Sequence, residues 1–192
     1  TRKGSHPAPV EDVALAHQTD IIYANNRLEA KSIVSSGKLI KTRVGIIVDY
    51  GVILDTEVIN YFELGIINSH FSLLPKLRGA DPITFSILEG LSETGVTLMK
   101  IVEKLDEGDV LAQEDLMIGD TDTTPILTDK LIALSNKMLS AELPKYINGE
   151  VALYPQDPTK SATYTRKLTK EDGAIDWQKP AQIIEREIRA YS

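Results

Sequence analysis

Short β-branched runs separated by amphipathic stretches limit this chain to an alternating architecture. Val44 to Val48 and Gly65 to Asn68 are apolar enough to be buried strands, and Ile53 to Phe62 between them reads as a helix. Upstream, helices are expected over Val10 to Gln18 and over Leu28 to Ser36, the second closed by Gly37, with a strand at Asp20 to Ala24 between them. Downstream, Asp81-Pro82 is an N-cap and N1 pair that opens a helix ended by Gly90, and Val96 to Val102 and Val110 to Leu116 are two further strands. Thr124-Pro125 opens a helix whose Leu127, Leu131, Leu134 and Met138 form a core stripe, running to Pro144 and on toward Asn148-Gly149. Pro, Asp and Thr gather from Tyr154 to Ser161 as in a linker, and Pro180 to Ala190 begins a last helix. The fold class is α/β, a mainly parallel sheet flanked by helices.

Three polar side chains sit at the ends of these apolar runs. Period 2 puts Asn68 and His70 on one face where their strand finishes. An Asn amide there can donate to an oxygen that gains charge as a carbonyl becomes tetrahedral, and a His can take the proton that an attacking amine sheds. Asp106 is placed to orient the imidazole or raise its basicity. No Cys is present and Ser72 lacks Gly-x-Ser-x-Gly surroundings, so the chemistry is acyl transfer without a covalent enzyme intermediate. The same residues are also consistent with a turn-capping Asn and a satisfied His. Ser72-Leu73-Leu74-Pro75 is either a plain β-to-α connection or a loop whose hydroxyl and backbone groups bind a flat heterocycle against a wall of Leu. Asp106 and Asp109 flank Glu107-Gly108 in a turn; no His or further carboxylate stands nearby at ligand spacing, so no metal is expected.

Four linked motifs extend this reading: Asn68-x-His70-x-Ser72-Leu73-Leu74-Pro75, Arg78-Gly79-Ala80-x-Pro82-Ile83, Thr94-Gly95-Val96-Thr97 and Leu105-Asp106-x-Gly108-Asp109. In order and spacing they resemble the folate-dependent formyltransferase family, most of all its members that act on methionyl-tRNA. Tyr164-Thr165-Arg166-Lys167-Leu168-Thr169-Lys170 and Ile175-Asp176-Trp177 are similar to the segment where those proteins pass into their C-terminal domain. The resemblance implies a Rossmann-like formyltransferase fold, 10-formyltetrahydrofolate as formyl donor, and Asn68, His70 and Asp106 as the catalytic three. It further implies Ser72, Leu73, Leu74 and Pro75 as the folate loop, and initiator methionyl-tRNA as acceptor. Arg2 and Lys3, ahead of Pro7-Ala8-Pro9-Val10, and Arg78 would then face the tRNA. Sugar-nucleotide N-formylation and a non-catalytic fragment of the same fold are the alternatives. The implied organisation is a catalytic domain over 1–153, a linker over 154–170 and the start of a C-terminal β-barrel domain over 171–192. By the same resemblance the chain starts after the family's first strand–helix unit and stops early in its second domain. Asp49, Ser69 and Phe71 depart from the family's usual small or aliphatic residues, which bears on the pocket's shape.

Charge and length add bounds. A chain of 192 residues can bury a real core, and the absence of Cys removes disulfides and thiolate metal sites from consideration. No apolar run approaches the ~20 residues of a membrane span, and Thr1-Arg2-Lys3-Gly4-Ser5-His6 leads into Pro and acidic residues instead of an apolar signal. A cytoplasmic monomer is expected. Net charge of −7 opposes grip on tRNA phosphates. The opposition is local, because acidic residues crowd Glu103 to Asp122 while Lys160, Arg166, Lys167 and Lys170 gather near the end. No Gly-x-Gly-x-x-Gly follows any expected strand, which argues against a nucleotide-binding oxidoreductase.

Overall fold

In a computed structural model of the chain, residues 9–37, 42–52 and 54–192 are described. Helix α1 (Pro9–Ala16) and helix α2 (Arg27–Ser35) form where the sequence places them, α2 capped by the Asn26 side chain accepting from Glu29 N–H and followed by Gly37 in the left-handed region at φ +66°. The strand expected at Asp20 to Ala24 does not form: these residues join no ladder among the described residues, and a strand exists only where a partner takes its N–H and C=O groups. Strand β1 (Gly45–Ile47) lies within the expected run. Helix α3 (Thr56–Ile59) is shorter than Ile53 to Phe62 because Asp55 takes extended dihedrals and sets its start, its carboxylate held by Arg27; Ile53 lies outside the described residues.

Strand β2 (Ile66–His70) runs two residues beyond the expected end, so Asn68 and His70 are both inside the ladder. Two-residue β3 (Arg78–Gly79) precedes helix α4 (Pro82–Leu88). Asp81 occupies the N-cap of α4 but in the left-handed region and without capping; its carboxylate instead accepts from Leu168 N–H at 3.0 Å. Strands β4 (Glu93–Lys100) and β5 (Val110–Met117) form a hairpin, β4 beginning earlier than expected. Helix α5 (Thr124–Ile147) continues through Pro144 to Asn148. Two-residue β6 (Tyr164–Thr165), a 3-10 turn (Lys170–Gly173) and helix α6 (Ala181–Tyr191) complete the chain.

The main sheet has the order β1-β2-β4-β5. Only β1–β2 is parallel; β2–β4 and β4–β5 are antiparallel, so among the described residues the sheet is mixed where a mainly parallel one was expected. The reason is connectivity: β4 and β5 are joined by a connection of nine residues, too short for a parallel crossover. Along β2 the two faces do different work. Ile67 enters the core with Val96, Leu98 and Leu111, against Leu127, Leu131, Leu134 and Met138 of α5, Ile87 of α4 and Ala190 of α6. Each fully buried Leu there contributes about 1.5–3 kcal/mol. Ser69, on the same face, shares a 2.7 Å hydrogen bond with Ser135 of α5, which satisfies both buried hydroxyls and accommodates that departure. Asp49 reaches solvent, at φ +51°, and Phe71 packs on the edge of the core. Asn68 and His70 point away from α5.

Candidate active site

His70 is held by a hydrogen bond at one ring nitrogen and faces a carboxylate at the other. Its Nε2 lies 2.9 Å from the carbonyl oxygen of Leu77, which can only accept, so Nε2 carries the proton and the neutral ring's lone pair is on Nδ1. Nδ1 faces Asp106 Oδ2 at 3.8 Å, beyond hydrogen-bond reach, in a setting where the two side chains are 7% and 11% exposed. The orienting contact expected from Asp106 is therefore made by Leu77. Asp106 is a charge partner for an imidazole protonated at Nδ1. Its Oδ2 accepts from Gly79 N–H at 2.7 Å, which fixes the carboxylate, and its backbone sits in the left-handed region at φ +52°. Gly79 is itself at φ +102°, and a Cβ there would meet Thr165 O at 2.6 Å, so glycine is required where β3 pairs with β6. Asn68, paired in register with Met99, is only partly buried and presents its amide on the His70 face.

The loop after β2 is braced by side chains of β4 and β5. Thr97, opposite His70 in the ladder, donates to Ser72 O at 2.6 Å and accepts from Leu74 N–H at 3.2 Å. Gln113 donates to Leu74 O at 3.0 Å and to the Thr97 hydroxyl at 2.7 Å. Ser72 is wholly buried and its hydroxyl donates to Lys76 O at 2.7 Å. Ser72 and Leu74 thus spend their polar groups on the loop, Pro75 is buried, and of the expected four Leu73 alone keeps accessible surface. The Leu74-Pro75 peptide is cis.

Arg78 departs from expectation. Its guanidinium is turned inward, pairing with Glu107 at 3.1 Å, donating to Gln156 Oε1 at 2.7 Å and to Tyr164 OH at 3.1 Å, and lying over the Tyr164 ring at 5.8 Å. Its Nε is buried without a hydrogen-bond partner among the described residues, and with the side chain 11% exposed the guanidinium faces the interior and not a tRNA phosphate. Arg2 and Lys3 lie outside the described residues. Among the described residues no group of three or more His, Asp and Glu could hold a metal ion, and no helix is long and apolar enough to cross a membrane. A cavity of about 380 Å³ lies against α6, lined by Trp177, Ile184 and Ile188 among others, and shares no residue with the His70 site.

Sequence reasoning did not find Leu77, Gln113 or Gln156, and it placed Thr97 in a motif without a bracing role. A buried Leu at φ +57° has no sequence signature, and the other three act through partners distant in the chain.

Residues 2–143 match the family described as Formyl transferase, and residues 167–192 match Formyl transferase, C-terminal domain, leaving 144–166 between the two. The chain belongs to the formyl transferase family. It is 40% identical over 185 residues to a methionyl-tRNA formyltransferase of Chloroflexus aggregans and 37% identical over 186 residues to one of Listeria monocytogenes. Those alignments cover 96% and 97% of this chain but 59% of each relative, so the chain spans about three fifths of their length. Among solved structures, a 4-N formyltransferase from Francisella tularensis superposes with a TM-score of 0.77 at 17% identity, covering 94% of this chain and 72% of that one. An N-formyltransferase from Helicobacter canadensis, in complex with folinic acid and dTDP-3-aminofucose, gives 0.76 at 21% identity, covering 94% and 62%. At those identities the likeness is one of fold, the α/β formyl transferase fold.

Proposed function

We propose that this formyl transferase moves a formyl group from 10-formyltetrahydrofolate to the amino group of initiator methionyl-tRNA. The reading is carried by the Asn68–His70 pair on one face of β2 with the Asp106 carboxylate beside it. It draws further support from relatives of 37–40% identity that are named methionyl-tRNA formyltransferases. The folate, when bound, supplies a formyl carbon activated for transfer. Residues after β1 and β2 fit a flat ring: Val48 and Tyr50 are half-exposed and Leu73 is partly open, leaving apolar surface at the carboxyl ends of the parallel pair.

The side chains then divide the work. Asn68 donates its amide to the formyl oxygen as negative charge grows there. His70 removes a proton from the attacking amine at Nδ1, since Nε2 already holds one against Leu77, and returns it to the folate nitrogen as the bond from that nitrogen to the formyl carbon breaks, so that tetrahydrofolate leaves neutral and the ring is restored. Asp106, held by Gly79 N–H, offsets the positive charge the ring acquires. Arg2 and Lys3 supply phosphate contacts to the tRNA.

The test uses the full-length protein with 10-formyltetrahydrofolate and two acceptors, methionyl-tRNA and a dTDP-linked amino sugar. Formylmethionyl-tRNA is the expected product. Turnover of the amino-sugar nucleotide with none of methionyl-tRNA overturns the acceptor, and turnover of neither overturns formyl transfer itself.

A further inference from the structure

The segment from Gln156 to Thr165 lies between the two family matches; it touches Asp106 directly and reaches His70 through Leu77. On the His70 side, Leu77 N–H donates to Thr163 Oγ1 at 2.9 Å, while the Leu77 carbonyl accepts from Nε2–H of His70 at 2.9 Å. Arg78 N–H donates to Thr163 O at 2.9 Å and Thr163 N–H to Pro75 O at 3.3 Å, so Thr163 brackets Leu77 on three bonds. Leu77 needs this bracket. It is 1% exposed and sits at φ +57°, a strained conformation for a bulky L residue that persists only where the surroundings over-determine it.

On the Asp106 side, Gln156 Nε2 donates to Asp106 O at 2.7 Å and to Gly108 O at 3.0 Å, and Gln156 Oε1 accepts from Arg78 at 2.7 Å. One amide thus holds a turn whose Asp106 is also left-handed, at φ +52°. The charged groups facing it are Arg78 and Glu107, paired with each other at 3.1 Å. β6 then ties the strap to β3, where Thr165 Oγ1 donates to Arg78 O at 3.1 Å and also to Ala80 O.

We propose that residues 156–165 are a positioning strap for the catalytic pair: Thr163, acting through Leu77, selects the His70 tautomer, and Gln156 sets the place of Asp106. The proposal rests on the formyl-transfer reading for its rate consequences. Its geometric claim stands apart from that reading. Neither residue touches substrate. Both decide where the atoms that do so are held, and a tenths-of-an-ångström change there acts on rate ahead of affinity.

The experiment uses the full-length protein with Thr163→Val, which keeps shape and removes the hydroxyl, and Gln156→Glu, which keeps volume and the Arg78 contact but loses both amide donors. Thr163→Ser is the restoring control. Each of the first two variants is expected to lower kcat by roughly 10- to 100-fold, with KM for donor and acceptor changed by less than about twofold. In ¹⁵N spectra, His70 of the parent protein shows Nε2–H alone, Thr163→Val shows a mixture of tautomers, and Thr163→Ser returns to the parent signature. Retention of parental kcat and of the single-tautomer spectrum in both variants, with only a fall in Tm, would reduce the strap to a tether and overturn the proposal. Should Thr163→Val fail to fold, Gln156→Glu decides through the kcat-to-KM split. Should the parent protein transfer no formyl group, the functional reading fails, and the ¹⁵N spectra still decide for or against the strap.

Discussion

Asn68 and His70 share one face of β2 with the Asp106 carboxylate 3.8 Å from His70 Nδ1, and the proposed reaction divides the handling of charge among the three. Asn68 is partly buried in a ladder whose bonds are made by backbone groups. Asn68→Ala in the full-length protein is expected to lower kcat by about 10²–10³ with donor KM little changed, measured by formylation at saturating donor. A KM effect alone would make Asn68 a binding residue. Asp106 carries two loads, an electrostatic one toward His70 Nδ1 and a structural one toward Gly79 N–H. Asp106→Asn keeps an oxygen for Gly79 and removes the charge, so activity should collapse while folate affinity and Tm hold; equal loss of Tm would recast it as a turn residue.

At the scale of elements, β2 and α5 meet through one polar contact in an otherwise apolar interface. Ser69→Ala leaves the Ser135 hydroxyl buried with its partner removed, at a cost of about 1–3 kcal/mol, whereas Ser69→Ala with Ser135→Ala should recover most of it. Urea titrations of the two singles and the double check this, and additive losses would sink it. The start of α5 is held by Asp122. Burial raises its pKa, but the Lys130 ammonium, Gly119 N–H and the charge of Arg189 outweigh burial and hold the carboxyl below its ordinary 3.8. A depressed carboxylate stabilises the fold above its unfolded value and ceases to do so as pH falls through the folded one. Asp122→Asn should thus cost about 1–3 kcal/mol at pH 7 and progressively less below 3.8. A difference that stayed constant down to pH 2 would place the loss in packing instead of charge.

Across the whole molecule, the net charge of −7 makes affinity for nucleic acid depend on where the 21 Lys and Arg side chains stand. Arg78 is withdrawn from that role by Glu107 and Gln156, which concentrates the proposed tRNA contact on Arg2 and Lys3. Replacing both by Ala in the full-length protein should weaken methionyl-tRNA binding and flatten the log-affinity against log-salt slope by up to about two units. Folate binding should be untouched. An unchanged slope would show that phosphates are held elsewhere. The same scale explains why the segment expected to be a linker is structural: β6 reaches back 86 residues to β3, and Gln156 spans 50 residues to Asp106. Helix α6 likewise brings Ala190 into the core beside Leu127 and Leu131.

Local physics made much of this legible in the residues themselves. The proline-marked starts of α4 and α5 and the i, i+4, i+7 stripe of α5 are read within one or two turns, as is the period 2 that sets Asn68 and His70 on a common face. Motif order made the family legible as well. Tertiary structure decided what depends on a partner far along the chain. Asp20 to Ala24 has strand-like residues but no ladder to join among the described residues, and β4 turned back on β5, so the sheet became mixed. Arg78 could be assigned outward or inward until Glu107, Gln156 and Tyr164 closed around it. The proton on His70 was placed by the carbonyl of Leu77, and Leu77 in turn by a hydroxyl 86 residues away. Periodicity and capping are set between near neighbours, whereas tautomer, charge pairing and backbone strain are set by whichever groups the completed fold brings within about 3 Å.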